Sequence, residues 1–348
     1  RNVDAALGIV SEVIRTPSFP QAEFEREKQN LLANLQQQNN NPNAVGARVR
    51  SLLAFGREHP YGRPSQGFPS TVESITREDV ARHWQERVKP GSSVLIFVGG
   101  LTLDEATKLA EKHFGPWAGG ASPEIAIGPP QMAAAGKIYL VDRQDAAQTV
   151  VTQFLAAPAV GHADDDALTL ADSVYGGGGF GTRLNLNLRE DKGYSYGAFS
   201  SLVQFTGGGI WYGGGGVQTD KTAESVAEFV QELKGLAGDR PIAEPELESS
   251  RLRRLRGTSQ EYEAYANVGG KIATLWLQKR PLSELQAEPD RIAQVPLAAT
   301  NAAAAKWARP EKASIVVVGD RGKIEEKLKA LNLGEVVVLD VEGREVGK

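Results

Sequence analysis

Residues 84–115 read WQERVKPGSSVLIFVGGLTLDEATKLAEKHFG, and residues 307–334 read WARPEKASIVVVGDRGKIEEKLKALNLG. Both run from a Trp through a basic residue and a Pro into an apolar strand. Both then pass a Gly into an amphipathic helix that stops at Gly. The likeness continues upstream in register. Val10 and Glu12 in IVSEVI match Val230 and Glu232 in FVQELK, and QAEFE at 21–25 matches EPELE at 244–248 after three extra residues at 235–240. A repeat of roughly 220 residues is too long for a solenoid and indicates two homologous domains.

The seam is PWAGGASPEIAIGPPQMAAAGK at 116–137, rich in Pro, Gly and Ala as linkers are. The expected division is a first domain at 1–118, a linker at 119–137 and a second, complete domain at 138–348. Only 83 residues precede Trp84, whereas about 170 residues of the second copy precede Trp307, so the first copy is expected to lack roughly 85 residues at its front. In the second copy, KIYLVD (ending at Asp142) and TVVTQFLA (149–156) read as strands and DDALTLADSVY (165–175) as a helix. YSYGAFSSLVQF (194–205) alternates with period 2, and GGIWYGGGGVQT follows as its antiparallel partner. Helices follow at 221–236 and from 244 to about 266. Hairpins mixed with helices predict an α+β class: two homologous domains, each a mostly antiparallel sheet with helices packed on one face.

Composition narrows the function. Of 348 residues 41% are apolar and 24% charged, ordinary for a globular chain, and a net charge of −4 argues against a broad nucleic-acid or anionic-membrane surface. Cysteine is absent, which excludes disulfides, thiolate metal sites and a cysteine nucleophile. The histidines are His59, His83, His113 and His162, none paired at helical spacing in an H-E-x-x-H motif. His162, in GHADDD, reads as a solvated loop or helix start. No G-x-S-x-G elbow and no P-loop lysine is present.

The block GGGGFGTRLNLNLREDKGYSYG at 176–197 carries the candidate chemistry. Its glycines, Gly177, Gly178 and Gly179 among them, let backbone approach another chain or a ligand closely. Arg189 offers a rigid fork of donors and Tyr196 one phenolic donor, seven residues on. A turn at Asp191-Lys192-Gly193 would bring them together, and two donors on one oxygen form an oxyanion hole. The plainer reading is a surface Arg and a strand Tyr. Leu184, Leu186 and Leu188 alternate like a strand, while Leu184 and Leu188 alone fit one helical face.

These segments, with FEREKQNLLANLQQQ (24–38), HPYGRPSQG (59–67) and SIVVVGD, resemble the insulinase/pitrilysin family of zinc metallopeptidases over essentially the whole chain. The resemblance implies the LuxS/MPP-like metallopeptidase fold, in which each half of a clam-shaped molecule is two similar domains. One half carries the inverted zinc motif H-x-x-E-H and a distant glutamate ligand. The other carries an arginine and a tyrosine that hold the substrate backbone. Matched residue by residue, these are Arg189 and Tyr196, with Arg189 on a short helix. Tyr194 is an extra aromatic beside them, assigned with Gly177, Gly178 and Gly179 to substrate binding. The zinc-glutamate position falls on Asn34, a poor zinc ligand. The implied function is therefore the noncatalytic, substrate-binding half, inactive alone, with zinc held in a partner half or subunit and peptide as substrate. The alternative is a structural core-type subunit or scaffold. Bacterial relatives imply a periplasmic address, the cytoplasm being the alternative.

Overall fold

Continuous apolar runs make strands that need cover on both faces, and the strongest such runs here form the centre of one sheet. In the computed structural model, which describes residues 2–133 and 135–347, the strands are β1 (Lys137–Asp142), β2 (Gln148–Ala157), β3 (Ser195–Phe205), β4 (Gly208–Gln218), β5 (Ser314–Gly319) and β6 (Glu335–Leu339). Arg1, Lys348 and Ala134, the last inside the expected linker, lie outside the described residues. The sheet order is β3-β4-β2-β5-β1-β6. Pairs β2–β4, β2–β5 and β3–β4 are antiparallel, while β1 runs parallel to both β5 and β6, so the sheet is mostly antiparallel as the sequence predicts.

One face is covered by helices Asp165–Asp172, Thr222–Lys234, Leu297–Trp307 and Arg321–Ala330. Thr222–Lys234 shows how: Val226, Phe229 and Leu233 recur at helical spacing and are buried against Leu140, Val151, Leu155 and Val317 of the strands. The second set of strand residues, Tyr139, Val141, Val150, Phe154, Val316 and Val318, is equally apolar and faces the other way. It is covered by the helix Pro42–Phe55, through Val45, Val49 and Phe55. Thus a segment from the first sequence repeat completes the core of the second. Asn41 caps this helix, its side chain accepting from the Asn43 N–H, and Pro42 opens it without losing a hydrogen bond.

By contacts the chain forms two units that interleave in sequence. The sheet belongs to Gln36–Gln66, Ile127–Thr258 and Leu285–Lys348. The other unit comprises Arg1–Leu35, Gly67–Ala126 and Ser259–Glu284, and its regular elements are helical. The repeat is visible in both. Helices Arg77–Arg87 and Leu297–Trp307 each lead to a short 3-10 turn at Pro90 or Pro310, an extended run, then helix Leu103–Phe114 or Arg321–Ala330. The extended runs differ. β5 is held by β1 and β2, whereas VLIFV at 94–98 pairs with no strand among the described residues, and Val94 and Leu95 stay 44% and 41% exposed. The helix expected to run to about 266 ends at Glu261, and Tyr265–Leu277 follows as a separate helix.

The outer edge of β3 is closed by the chain itself. Asn185 Nδ2 donates to the Ala198 carbonyl (2.5 Å) and its Oδ1 accepts from the Ala198 N–H (2.9 Å). Two residues further, a Cβ at Gly176 would sit 2.5 Å from Ser200 N, so only glycine lets that loop lie against the strand. Asp172 takes the next positions, accepting from Ser200 Oγ (2.5 Å), the Leu202 N–H and Trp211 Nε1 (2.7 Å). Burial pushes the Asp172 carboxyl up from 3.8 to about 6, against the opposing pull of those donors.

Two outcomes follow from this packing. Phe55→Ala, which empties the apolar face beneath Pro42–Phe55, should cost the sheet-bearing unit roughly 3–5 kcal/mol in urea unfolding. Asp172 holds a proton more tightly folded than unfolded, so its contribution is full below about pH 4 and is lost as pH rises through about 6. Asp172→Asn should therefore gain roughly 2–3 kcal/mol relative to the wild-type chain between pH 4 and pH 7. Paired urea titrations across that range measure it, and parallel pH profiles would contradict the assignment.

Candidate functional site

The segment between the glycine run and β3 is helical, and burial explains why. Leu184 and Leu188 are fully buried while Leu186 is 49% exposed, the pattern of one helical face. The helix Arg183–Asn185 continues as a wider turn through Leu186–Asp191, in which the Lys192 N–H reaches back to the Asn187 carbonyl (3.0 Å). Gly193, at φ 66°, reverses the chain where a side chain would be strained, and the Tyr194 N–H closes onto the Leu188 carbonyl at 2.8 Å.

Charged anchors hold this segment from beneath. Arg183, only 6% exposed, donates to both carboxylate oxygens of Glu246 (2.7 Å each) and to the carbonyls of Arg240 (2.6 Å) and Pro241 (3.1 Å). Burial alone would raise the Glu246 carboxyl; the Arg183 bonds outweigh it and hold the group below its usual range. Asn187 donates to Glu228 (2.9 Å) and Glu232 (2.8 Å) on the helix Thr222–Lys234, and Glu232 is also paired with Arg240.

The structure places Arg189 and Tyr196 side by side, the guanidinium carbon 5.6 Å from the Tyr196 ring centre. Tyr196 projects because of a β-bulge. Ser195 pairs with Val217 and Gly197 with Gly216, leaving Tyr196 as the unpaired extra residue. Ser195 Oγ accepts from the Gly197 N–H (3.1 Å) and lies 2.7 Å from the Gly216 carbonyl, which secures the bulge. Tyr196 is 85% exposed. Tyr194, which unbroken pairing would put on the same side, is instead half-buried against the core, with the Lys221 ammonium 5.8 Å from its ring. Among the described residues neither the Tyr196 hydroxyl nor the Arg189 guanidinium makes a hydrogen bond, and the ionic neighbour of Arg189 is Glu190 at 3.5 Å. The pair thus combines an exposed phenol with a partly buried guanidinium, neither hydrogen-bonded among the described residues.

The glycines divide. A Cβ at Gly177 would meet the Asp172 carboxylate at 2.4 Å, and one at Gly178 would meet the Ser173 carbonyl and the Arg253 guanidinium. Gly179 has φ 85° and open space around its Cα. A cleft of about 360 Å³ lies between this loop and β3, lined by Gly179, Phe180, Asn185, Gly197 and Phe199 among others. Phe180 escaped the sequence reading. Its ring centre is 4.2 Å from the Arg189 guanidinium carbon, on a side chain 64% exposed. Nothing in its spacing marks it, because the contact forms only through the loop.

Asn34 is an exposed amide on the helix Gln21–Asn39, and among the described residues no three His, Asp or Glu side chains converge. Three histidines have structural partners instead. His59 Nδ1 accepts from the Tyr61 N–H, so its Nε2 donates to the Gly128 carbonyl; His113 meets Asp4, and His162 Nδ1 accepts from the Asp164 N–H. No helix among the described residues is long and apolar enough to cross a membrane.

Known proteins share this architecture. A crystal structure of a peptidase M16 inactive domain from Pseudomonas fluorescens superposes with TM-score 0.84 at 23% identity, covering 91% of this chain and 75% of that one. An uncharacterized zinc protease of Mycobacterium leprae is 25% identical over 243 residues, 68% of this chain and 53% of the relative. Mitochondrial-processing peptidase subunit beta of Bos taurus is 26% identical over 220 residues, 61% of this chain and 44% of the relative. The chain spans about half the length of the curated relatives it matches. The peptidase M16 inactive domain matches residues 74–253, just over half of the 348, and the chain belongs to that family, within the insulinase/pitrilysin zinc metallopeptidases.

Proposed function

We propose that this chain is the noncatalytic, substrate-binding half of a zinc-dependent metalloendopeptidase, contributing Arg189 and Tyr196 to an active site shared with a zinc-bearing half. The observation that carries the reading is the donor pair: an arginine that makes no hydrogen bond among the described residues and only a 3.5 Å ion pair with Glu190, 5.6 Å from an 85% exposed tyrosine, both on a braced scaffold. Relatives named as zinc proteases and as a processing peptidase subunit support the class of reaction. The partner half would hold the zinc, which supplies an activated water when bound.

The residues of this chain would do the rest by position and charge. A peptide carbonyl near the pair receives a hydrogen bond from the Tyr196 hydroxyl and one or two from the Arg189 fork. Both strengthen as the carbonyl oxygen gains charge, which is how preorganised donors lower a barrier. Neither residue needs to move a proton. Gly177, Gly178 and Gly179 would serve substrate binding by shaping the loop beside the cleft, with Tyr194 bracing the turn from its core side.

The test reconstitutes the chain with its zinc-bearing half and follows cleavage of a quenched fluorescent peptide. Arg189→Ala and Tyr196→Phe should each lower kcat by about tenfold to a hundredfold, roughly 1–3 kcal/mol of barrier, with unfolding midpoints unchanged. Turnover equal to that of the unsubstituted protein would remove the pair from the reaction and leave the scaffold role.

A further inference from the structure

Arg183 and Arg189 lie six residues apart on one helical segment and are held in opposite ways. Arg183 is fixed by its edges: two bonds to Glu246 and two to backbone carbonyls occupy its donors. Arg189 has no such bonds among the described residues. What it has is one ion pair, with Glu190 3.5 Å from Nε, and two aromatic rings, Phe180 at 4.2 Å and Tyr196 at 5.6 Å from the guanidinium carbon. We infer that Phe180 is a positioning residue, which holds the Arg189 guanidinium by its face so that its terminal Nη–H donors remain free for a peptide carbonyl.

The chemistry favours this arrangement. A carboxylate would hold an arginine more firmly, but through the same donors that a substrate needs. Stacking uses the guanidinium face, perpendicular to those donors, and so orders the group without consuming them. Phe180 has no other evident task. It belongs to neither core cluster and remains 64% exposed. The loop that carries it is nonetheless tied down. The Gly179 carbonyl accepts from Thr182 Oγ (2.9 Å) and from Asn185 Nδ2 (3.0 Å), and Gly179 itself adopts φ 85°. Asn185 in turn grips Ala198. The glycine run, read from sequence as permitting close approach to another chain or a ligand, here delivers one aromatic ring to one arginine.

This inference rests on the shared-site reading for its kinetic consequence but not for its geometry, and the experiment separates the two. In the chain alone, the Arg189 Nε–Hε signal, assigned by its loss in Arg189→Ala, should be shifted upfield by the ring current. That shift should shrink in Phe180→Ala and Phe180→Leu and persist in Phe180→Tyr. In the reconstituted peptidase, Phe180→Ala and Phe180→Leu should lower kcat by about five- to tenfold with KM within about twofold, while Phe180→Tyr stays within about twofold of the unsubstituted protein. An Arg189 signal indifferent to residue 180, or a Leu variant as active as Tyr, would overturn the stacking role, the latter because bulk alone would suffice. If Arg189→Ala leaves turnover intact, the shared-site reading falls, and the NMR arm still decides whether Phe180 orders the arginine.

Discussion

The site depends on one side chain: the carboxamide of Asn185, bonded both ways to the backbone of Ala198. A carboxamide presents a donor and an acceptor side by side, as a neighbouring strand's backbone does. It therefore ends the sheet at β3 where a further strand would otherwise pair, and an uncovered edge invites foreign chains. The same amide reaches Gly179. It thus ties three things together: the helical segment bearing Arg189, the strand bearing Tyr196 and the loop bearing Phe180. With Gly176 against Ser200 and Asp172 below it, this stretch of the edge is occupied by the chain itself and is closed to further strand pairing.

The buried charges beneath the segment are an odd choice if stability were the aim. Removing the Arg183 guanidinium from water costs about as much as its attraction to the half-buried Glu246 returns. What the pair adds is direction. A bidentate fork fixes both the angle and the rotation of the helix, and the bonds of Asn187 to Glu228 and Glu232 fix its other flank. Donors aimed at a small target tolerate little rotation, so rigidity under Arg189 is of more use than added stability.

Much of this was legible in the residues. Continuous β-branched runs located the central strands KIYLVD, TVVTQFLA and SIVVVGD, which are buried on both faces, and period-2 alternation located YSYGAFSSLVQF at the edge. The repeat located matching helices, turns and extended runs. What stayed hidden depends on tertiary contact. Nothing in PNAVGARVRSLLAF says which sheet it covers, since any apolar surface satisfies an apolar helix face. VLIFV at 94–98 has the composition of a strand, but pairing is supplied by neighbours, and none lies beside it among the described residues. The leucines at 184, 186 and 188 fit two periods, and only burial chose between them. Tyr194 and Tyr196 looked equivalent because alternation puts them on one side; the inserted bulge residue breaks that parity and has no sequence signature of its own.

The exposure of the pair bears on how it can work. In water a hydrogen bond from Tyr196 to a carbonyl only exchanges for bonds to solvent, and its net worth is small. The Arg189 charge is screened in the same way. Both become strong only where water is excluded and the local dielectric falls. Yet Tyr196 is 85% and Phe180 64% exposed, and the cleft beside them is open. Nothing within the sheet-bearing unit covers them. On the proposed reading, an exposed Tyr196 and a one-third exposed Arg189 would gain strength only beneath a second surface that excludes water. The proposed shared site is consistent with this geometry: the scaffold is braced, the donors make no hydrogen bond among the described residues, and the ingredient the proposal adds is a low-dielectric wall from a partner half.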